Sequence, residues 1–98
     1  MRKDGVPRRF QLAGHTIEVV TVPAKRWKHG KGYIGIWIPD QYRIELISTI
    51  KGTHRQQTFA HEVIHAMLDI AGHEELSRKE PLVDRLGHLL QQMLTTME

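Results

Sequence analysis

Apolar and polar residues alternate along the first half of the chain, as strands with one buried face require. Residues 9–12 and 15–22 predict a small hairpin with Gly14 at its turn. Residues 23–32 read PAKRWKHGKG, a polar and glycine-bearing stretch that predicts a loop. The chain therefore begins with two short paired strands.

Two further strands are predicted on either side of a turn at residues 39–41. Residues 33–38 form the clearer one, and its two faces carry Ile34, Ile36 and Ile38 against Tyr33, Gly35 and Trp37. Residues 42–48 alternate again, which places Ile44 and Leu46 toward the core.

The apolar spacing changes to that of a helix after residue 52. Thr53 is a suitable N-cap and Gly72 a suitable stop, with no proline between them. The apolar stripe consists of Phe59, Val63, Ala66, Met67 and Ile70, widened on one side by Ala60, Ile64, Leu68 and Ala71. His61 and His65 lie at the widened edge, whereas Glu62 points away from the main stripe, so we expect it to contribute little to packing.

A second helix is predicted over residues 79–97. Ser77 is a suitable N-cap, with Glu80 at the reach-back position of a capping box and Pro81 in the first turn. The predicted apolar stripe is Leu82, Leu86, Leu89, Leu90, Met93 and Met97. Gly87 lies beside another face, and a glycine inside a helix predicts close approach of a second helix.

Together these elements predict a single α+β domain over residues 1–98, with a small, mainly antiparallel sheet packed on two helices. Strand order cannot be read from the pattern. The chain lacks cysteine, which excludes disulfides and thiol nucleophiles. It shows no apolar leader and no run long enough to cross a membrane, so we expect a soluble, intracellular protein.

Charge divides the chain into a basic and an acidic part. Residues 1–55 carry eleven Lys or Arg against four acids, and residues 56–98 carry three against seven, giving the overall +3. The basic part is able to attract nucleic acid or an acidic protein, but no recognition motif supports nucleic-acid binding. A bound divalent cation would offset carboxylates in the acidic part.

The acidic part contains the sequence His61-Glu62-Val63-Ile64-His65, an H-E-x-x-H motif. Two histidines four residues apart lie one helical turn from each other, so their ring nitrogens are able to meet at one ion. The glutamate is placed to act as general base on a water at that ion. The motif thus predicts a zinc site, although seven histidines in 98 residues raise the odds of a chance pair.

A zinc site needs a third ligand from outside the motif helix. Four residues qualify by position: His73, Glu80, Asp84 and His88. Glu80 is favoured, because it begins the second helix where two antiparallel helices joined by a short connection come closest. A carboxylate in a first helical turn is also explained by the helix dipole alone.

The stretch from Thr53 to Met93 resembles the gluzincin metallopeptidases, and most closely the ImmA/IrrE-type peptidases and small phage-encoded relatives. Glu80, Asp84, Gly87 and the pair Leu89-Leu90 occupy the places of that family's later-helix motif, with Asp instead of the usual Asn. No helix-turn-helix or cysteine zinc module is appended. The resemblance implies zinc as cofactor, Glu80 as third ligand, and the cytoplasm of a bacterial or phage-infected cell.

The expected function is zinc-dependent hydrolysis of a peptide or protein substrate, with Glu62 as base. Asp84 is a candidate to orient a ligand histidine, and candidates for an oxyanion donor are Tyr33, Tyr42, His73 and His88. The resemblance further implies that an edge strand, either residues 33–38 or 42–48, pairs with an extended substrate.

The alternative is a non-catalytic zinc-binding phage or regulatory module that uses the fold to hold a protein or nucleic acid. A fourth protein ligand, such as His73 or His88 beside Glu80, would close the zinc site and favour that structural role.

Overall fold

The computed structural model describes residues 5–97 as an α+β fold, which confirms the predicted class. Within this range a four-stranded sheet packs against the helices. The strands are β1 (Arg9–Leu12), β2 (His15–Val22), β3 (Gly35–Ile38) and β4 (Arg43–Ile47). The helices are α1 (Gly52–Ile70), α2 (Glu74–Ser77) and α3 (Glu80–Thr96). None of these helices is both long enough and apolar enough to span a bilayer.

The sheet has the order β1-β2-β4-β3, so β4 is central and β3 is an edge. Neighbours β1–β2 and β3–β4 run antiparallel, whereas β2–β4 runs parallel. The β1–β2 hairpin turns through Ala13 and Gly14, both with positive φ, which is the turn favoured between twisted strands. The prediction that residues 42–48 could form the edge strand along the cleft is wrong, because β4 is paired on both sides.

The sheet face that packs on α1 is identified by its buried residues. Ile44 and Leu46 are fully buried, as predicted. Ile36 and Ile38 of β3 share a face with Ile34, which precedes the strand, but the face toward α1 is that of Gly35 and Trp37. A Cβ on Gly35 would lie 2.6 Å from Thr58 Cγ2 and 3.4 Å from Glu62 Cγ, so the missing side chain lets α1 approach the edge strand.

Helix α1 ends as the sequence predicts but begins differently. Gly72 has φ 86°, its N–H donates to the carbonyl of Asp69, and the His73 N–H donates to the carbonyl of Leu68 at 2.8 Å. This is the hydrogen-bond pattern of a helix closed by a left-handed glycine. The prediction of Thr53 as N-cap is wrong, because the N-cap is Lys51, two residues earlier, and it makes no side-chain capping hydrogen bond.

Helix α3 packs through a face that shares Leu90 with the predicted stripe but is otherwise shifted from it. Val83 and Gly87 are buried and Leu90 and Leu94 pack on the core, whereas four residues of the predicted stripe are exposed: Leu82, Leu89, Met93 and Met97. Two apolar stripes of similar spacing run along this helix, and Gly87 selects between them, because only the glycine face allows the close helix contact. The prediction of Ser77 as N-cap is also wrong. Ser77 is the last residue of α2, and the N-cap of α3 is Lys79.

Gly87 confirms the predicted close approach and makes a stability test possible. A Cβ there would lie 3.1 Å from the Cα of His61 and 3.2 Å from its backbone nitrogen. Backbone atoms cannot rotate away, so we expect Gly87→Ala to destabilise the protein by about 1 kcal/mol, despite the better helix propensity of alanine.

Urea unfolding of the metal-free protein measures this effect. Gly32→Ala is the matched control, because a Cβ at Gly32 meets nothing within 4 Å. A Gly87→Ala variant as stable as the control would contradict the observed contact between α1 and α3.

Candidate functional site

The antiparallel packing of α1 and α3 brings Glu80 opposite the two motif histidines. The carboxylate oxygens of Glu80 lie 3.0 Å from His61 Nε2 and 3.1 Å from His65 Nε2. One ligand atom from each residue lies within 4.8 Å of the others. Ligand atoms around a tetrahedral zinc with bonds of about 2.0–2.1 Å are about 3.3 Å apart, so this group could hold a metal ion.

Ser77 orients the ring of His65. Its Oγ lies 2.9 Å from Nδ1 of His65, which leaves Nε2 of the same ring facing Glu80. Burial lowers the pKa of His65, although the nearby carboxylate of Glu80 acts in the opposite direction. The imidazole thus remains neutral, as metal coordination requires, to lower pH than an exposed histidine. Sequence reasoning missed this contact, because it depends on how the chain returns after Gly72.

Asp84, the candidate to orient a ligand histidine, lies beside the other nitrogen of His61. Its Oδ1 is 3.5 Å from His61 Nδ1, an electrostatic contact longer than a hydrogen bond. Its second oxygen is 3.6 Å from Nε2 of His88, which is mostly exposed. Asp84 therefore lies between His61 and the exposed His88.

Glu62 is buried between α1 and the edge strand, with only 8% of its surface exposed. The expectation that it contributes little to packing is therefore wrong: its side chain fills the space left by Gly35. Burial raises the pKa of Glu62 to about 7, against the lowering effects of His61 and of a hydrogen bond from the Trp37 backbone N–H. A carboxyl group with this pKa is suited to exchange protons near neutral pH.

A cleft of about 1110 Å³ lies over this group and follows β3. Ile34 accepts a hydrogen bond from Ile47 of the central strand, so by alternation the backbone groups of Gly35 and Trp37 point toward the free edge. The hydrogen bond from Trp37 to Glu62 places that edge at the cleft. Gly35 thus brings a main-chain donor and acceptor to the cleft, and Trp37 brings its carbonyl, because its N–H is donated to Glu62.

The four candidate oxyanion donors lie in different places relative to the cleft. Tyr33 and His88 line the cleft, Tyr42 lines an adjoining pocket, and His73 lines neither. Among residues 5–97 the metal-binding geometry joins His61, His65 and Glu80 without a fourth residue. Comparison of the chain with protein-family models, curated proteins and solved structures found no match.

Proposed function

We propose that this protein is a zinc-dependent metallopeptidase. The observation that carries the proposal is the convergence of His61, His65 and Glu80 within 4.8 Å on one side of a buried Glu62. A zinc bound there would polarise a peptide carbonyl and make a water acidic enough to lose its proton near neutral pH. Glu62 is the base that accepts this proton and later returns it to the leaving amine.

The edge strand supports a peptide as substrate. An extended peptide placed along β3 would pair with the main-chain groups of Gly35 and the carbonyl of Trp37, as a strand added to a sheet edge does. Because Trp37 also donates its N–H to Glu62, the strand that holds the substrate is tied to the proposed base. The scissile carbonyl would then lie between β3 and the metal-binding group.

A non-catalytic zinc module is less well supported. A structural zinc has four protein ligands, and neither His73 nor His88 belongs to the metal-binding group found in residues 5–97. A structural role also gives no reason to bury a carboxyl group whose ionisation burial opposes. Both observations favour an open site with a base beside it.

Metal content is the first test of the proposal. We expect one zinc per chain, with affinity that falls as pH falls, because protons compete for His61 and His65. Because burial lowers the pKa of His65, we expect zinc affinity to be lost at a lower pH than it would be for two exposed histidines. Elemental analysis after purification without chelator, and zinc titrations from pH 5 to 8, measure both. A chain that remains metal-free in zinc-supplemented buffer contradicts the proposal.

Ser77 provides a second test of the metal site. Ser77→Ala removes the partner of His65 Nδ1, so we expect zinc affinity to fall about 10-fold, the lower end for residues that orient a metal ligand. Ser77→Thr keeps the hydroxyl and should restore much of the affinity. Competition with a chelator of known affinity measures the change. Equal affinities in Ser77→Ala and wild type would show that the contact does not orient the ligand.

A further inference from the structure

A second pocket of about 540 Å³ continues from the cleft beyond the end of β3. The two cavities share part of their lining, namely Trp37, Pro39, Asp69, Ser77 and Arg78. Trp37 donates its backbone N–H to Glu62, and Ser77 contacts His65. The second pocket therefore has walls in common with the candidate catalytic site.

One wall of this pocket is aromatic. The rings of Tyr42 and His15 are stacked, with centroids 4.5 Å apart and planes 15° from parallel. Trp37 meets Tyr42 edge-on, with centroids 6.4 Å apart. Since 38% of Tyr42 is exposed, its ring is only partly covered by these neighbours and is available to a ligand.

The backbone of Tyr42 is in an unfavourable conformation for a residue with a side chain. It has φ 48° and ψ 52°, in the left-handed region, at the end of the short 3₁₀ helix Pro39–Gln41. Glycine or asparagine usually occupies such a helix end. A strained tyrosine whose ring is exposed in a pocket indicates that the ring itself has a use there.

Carboxylates outnumber cations in the lining of the pocket. Asp69 and Glu74 contribute two carboxylates, and Arg78 contributes one guanidinium. The indole Nε1–H of Trp37 donates to Asp69 Oδ2 at 2.9 Å, which fixes that carboxylate against the aromatic wall. An aromatic face next to carboxylates is the environment that a guanidinium or ammonium group prefers.

We propose that this pocket is a substrate subsite that binds an arginine or lysine side chain close to the scissile bond. The inference rests on the proposed peptidase function, because it requires a substrate that runs along β3. From Trp37 to Pro39 an extended chain advances about 7 Å, so the bound side chain lies within two residues of the bond that is cut. The cation stacks on Tyr42 and faces Asp69 and Glu74.

The test compares blocked peptides that differ only in arginine or citrulline at one position, scanned along an otherwise neutral sequence. Citrulline keeps the shape of arginine without its charge. Binding is measured on the zinc-loaded Glu62→Gln variant by the chemical shifts of Trp37 and Tyr42, and cleavage on the wild type. At one position, within two residues of the cleaved bond, we expect the arginine peptide to bind about tenfold more tightly than the citrulline peptide.

Four variants test which residues of the pocket cause the preference for arginine. Glu74→Gln and Tyr42→Gly should reduce the ratio of arginine to citrulline affinity toward one, and Tyr42→Gly should do so without unfolding, since glycine relieves the strain. Arg78→Gln should increase the ratio, because it removes the competing cation. Glu75→Gln, the same charge change on the neighbouring residue outside the pocket lining, should leave the ratio unchanged.

The two proposals fail in different ways. Arginine-selective binding without cleavage by the wild type retains the subsite and contradicts the peptidase. Cleavage with equal use of arginine and citrulline peptides retains the peptidase and overturns the subsite. Tighter binding of the citrulline peptide at this position, or no binding of either peptide, also overturns it.

Discussion

The Glu62→Gln variant should bind zinc as the wild type does and hydrolyse peptides about 10²–10⁴-fold more slowly. Glutamine keeps the shape of the side chain and an oxygen that accepts the N–H of Trp37, so the packing against Gly35 is preserved. Only the ability to take a proton from the attacking water is removed.

The measurement starts from a lysate or peptide library, because the substrate is unidentified. Wild type and Glu62→Gln are incubated with it, and new chain ends are counted by mass spectrometry. Glu75→Gln is the control, since it removes an exposed carboxylate from the same acidic part of the chain. Unchanged cleavage by Glu62→Gln would exclude Glu62 as the base, and absence of cleavage in all three would favour the non-catalytic zinc module.

The same variant has a second, pH-dependent effect on the metal-free protein. The pKa of Glu62 rises from 4.5 to about 7 on folding, so the native state holds its proton more tightly than the unfolded state. The associated stability is present below pH 4.5 and is lost as pH rises through 7. At pH 8 we therefore expect Glu62→Gln to be more stable than wild type by about 3 kcal/mol, with little difference at pH 4.

The Glu80→Gln variant should lose more zinc affinity than any change to a residue that only orients a ligand. Its carboxylate lies 3.0 Å from His61 Nε2 and 3.1 Å from His65 Nε2, and the amide removes the negative charge that faces the ion. Asp84→Asn, whose oxygen lies 3.5 Å from the far nitrogen of His61, should cost roughly 10–100-fold.

Chelator competition at fixed pH ranks the two variants. Both substitutions remove one negative charge from the same helix, so they control for the general electrostatic effect of that charge. A larger loss for Asp84→Asn than for Glu80→Gln would assign the third ligand to Asp84.

The part of the site that lies within one helix could be predicted from the sequence. His61, Glu62 and His65 take their relative positions from the helical repeat alone, and Gly72 ends the helix through its own backbone conformation. To predict that Glu80 lies near the two histidines, two more features are needed: a short connection between the helices and a glycine at their contact. Both are visible in the sequence.

The features of the fold and the site that the sequence does not predict depend on contacts between residues distant in the chain. The burial of Glu62 follows from Gly35 in a strand 27 positions earlier, and the role of Ser77 follows from the path of the chain after α1. The parallel pairing of β2 with β4 cannot be read from alternation, since both orientations show the same pattern. The buried face of α3 is predicted only in part, because two apolar stripes share Leu90 and only the docked helix distinguishes them.

The parallel pairing of β2 with β4 has a consequence for the order in which the molecule folds. The β1–β2 and β3–β4 hairpins close over short chain segments, whereas Glu18 and Arg43 meet across 25 residues. Closing the longer loop costs more chain entropy before any contact is gained, so we expect it to form late. The histidine pair exists as soon as α1 forms. Under the proposed function, a zinc ion encountered during synthesis would meet two of its ligands before Glu62 acquires its buried surroundings.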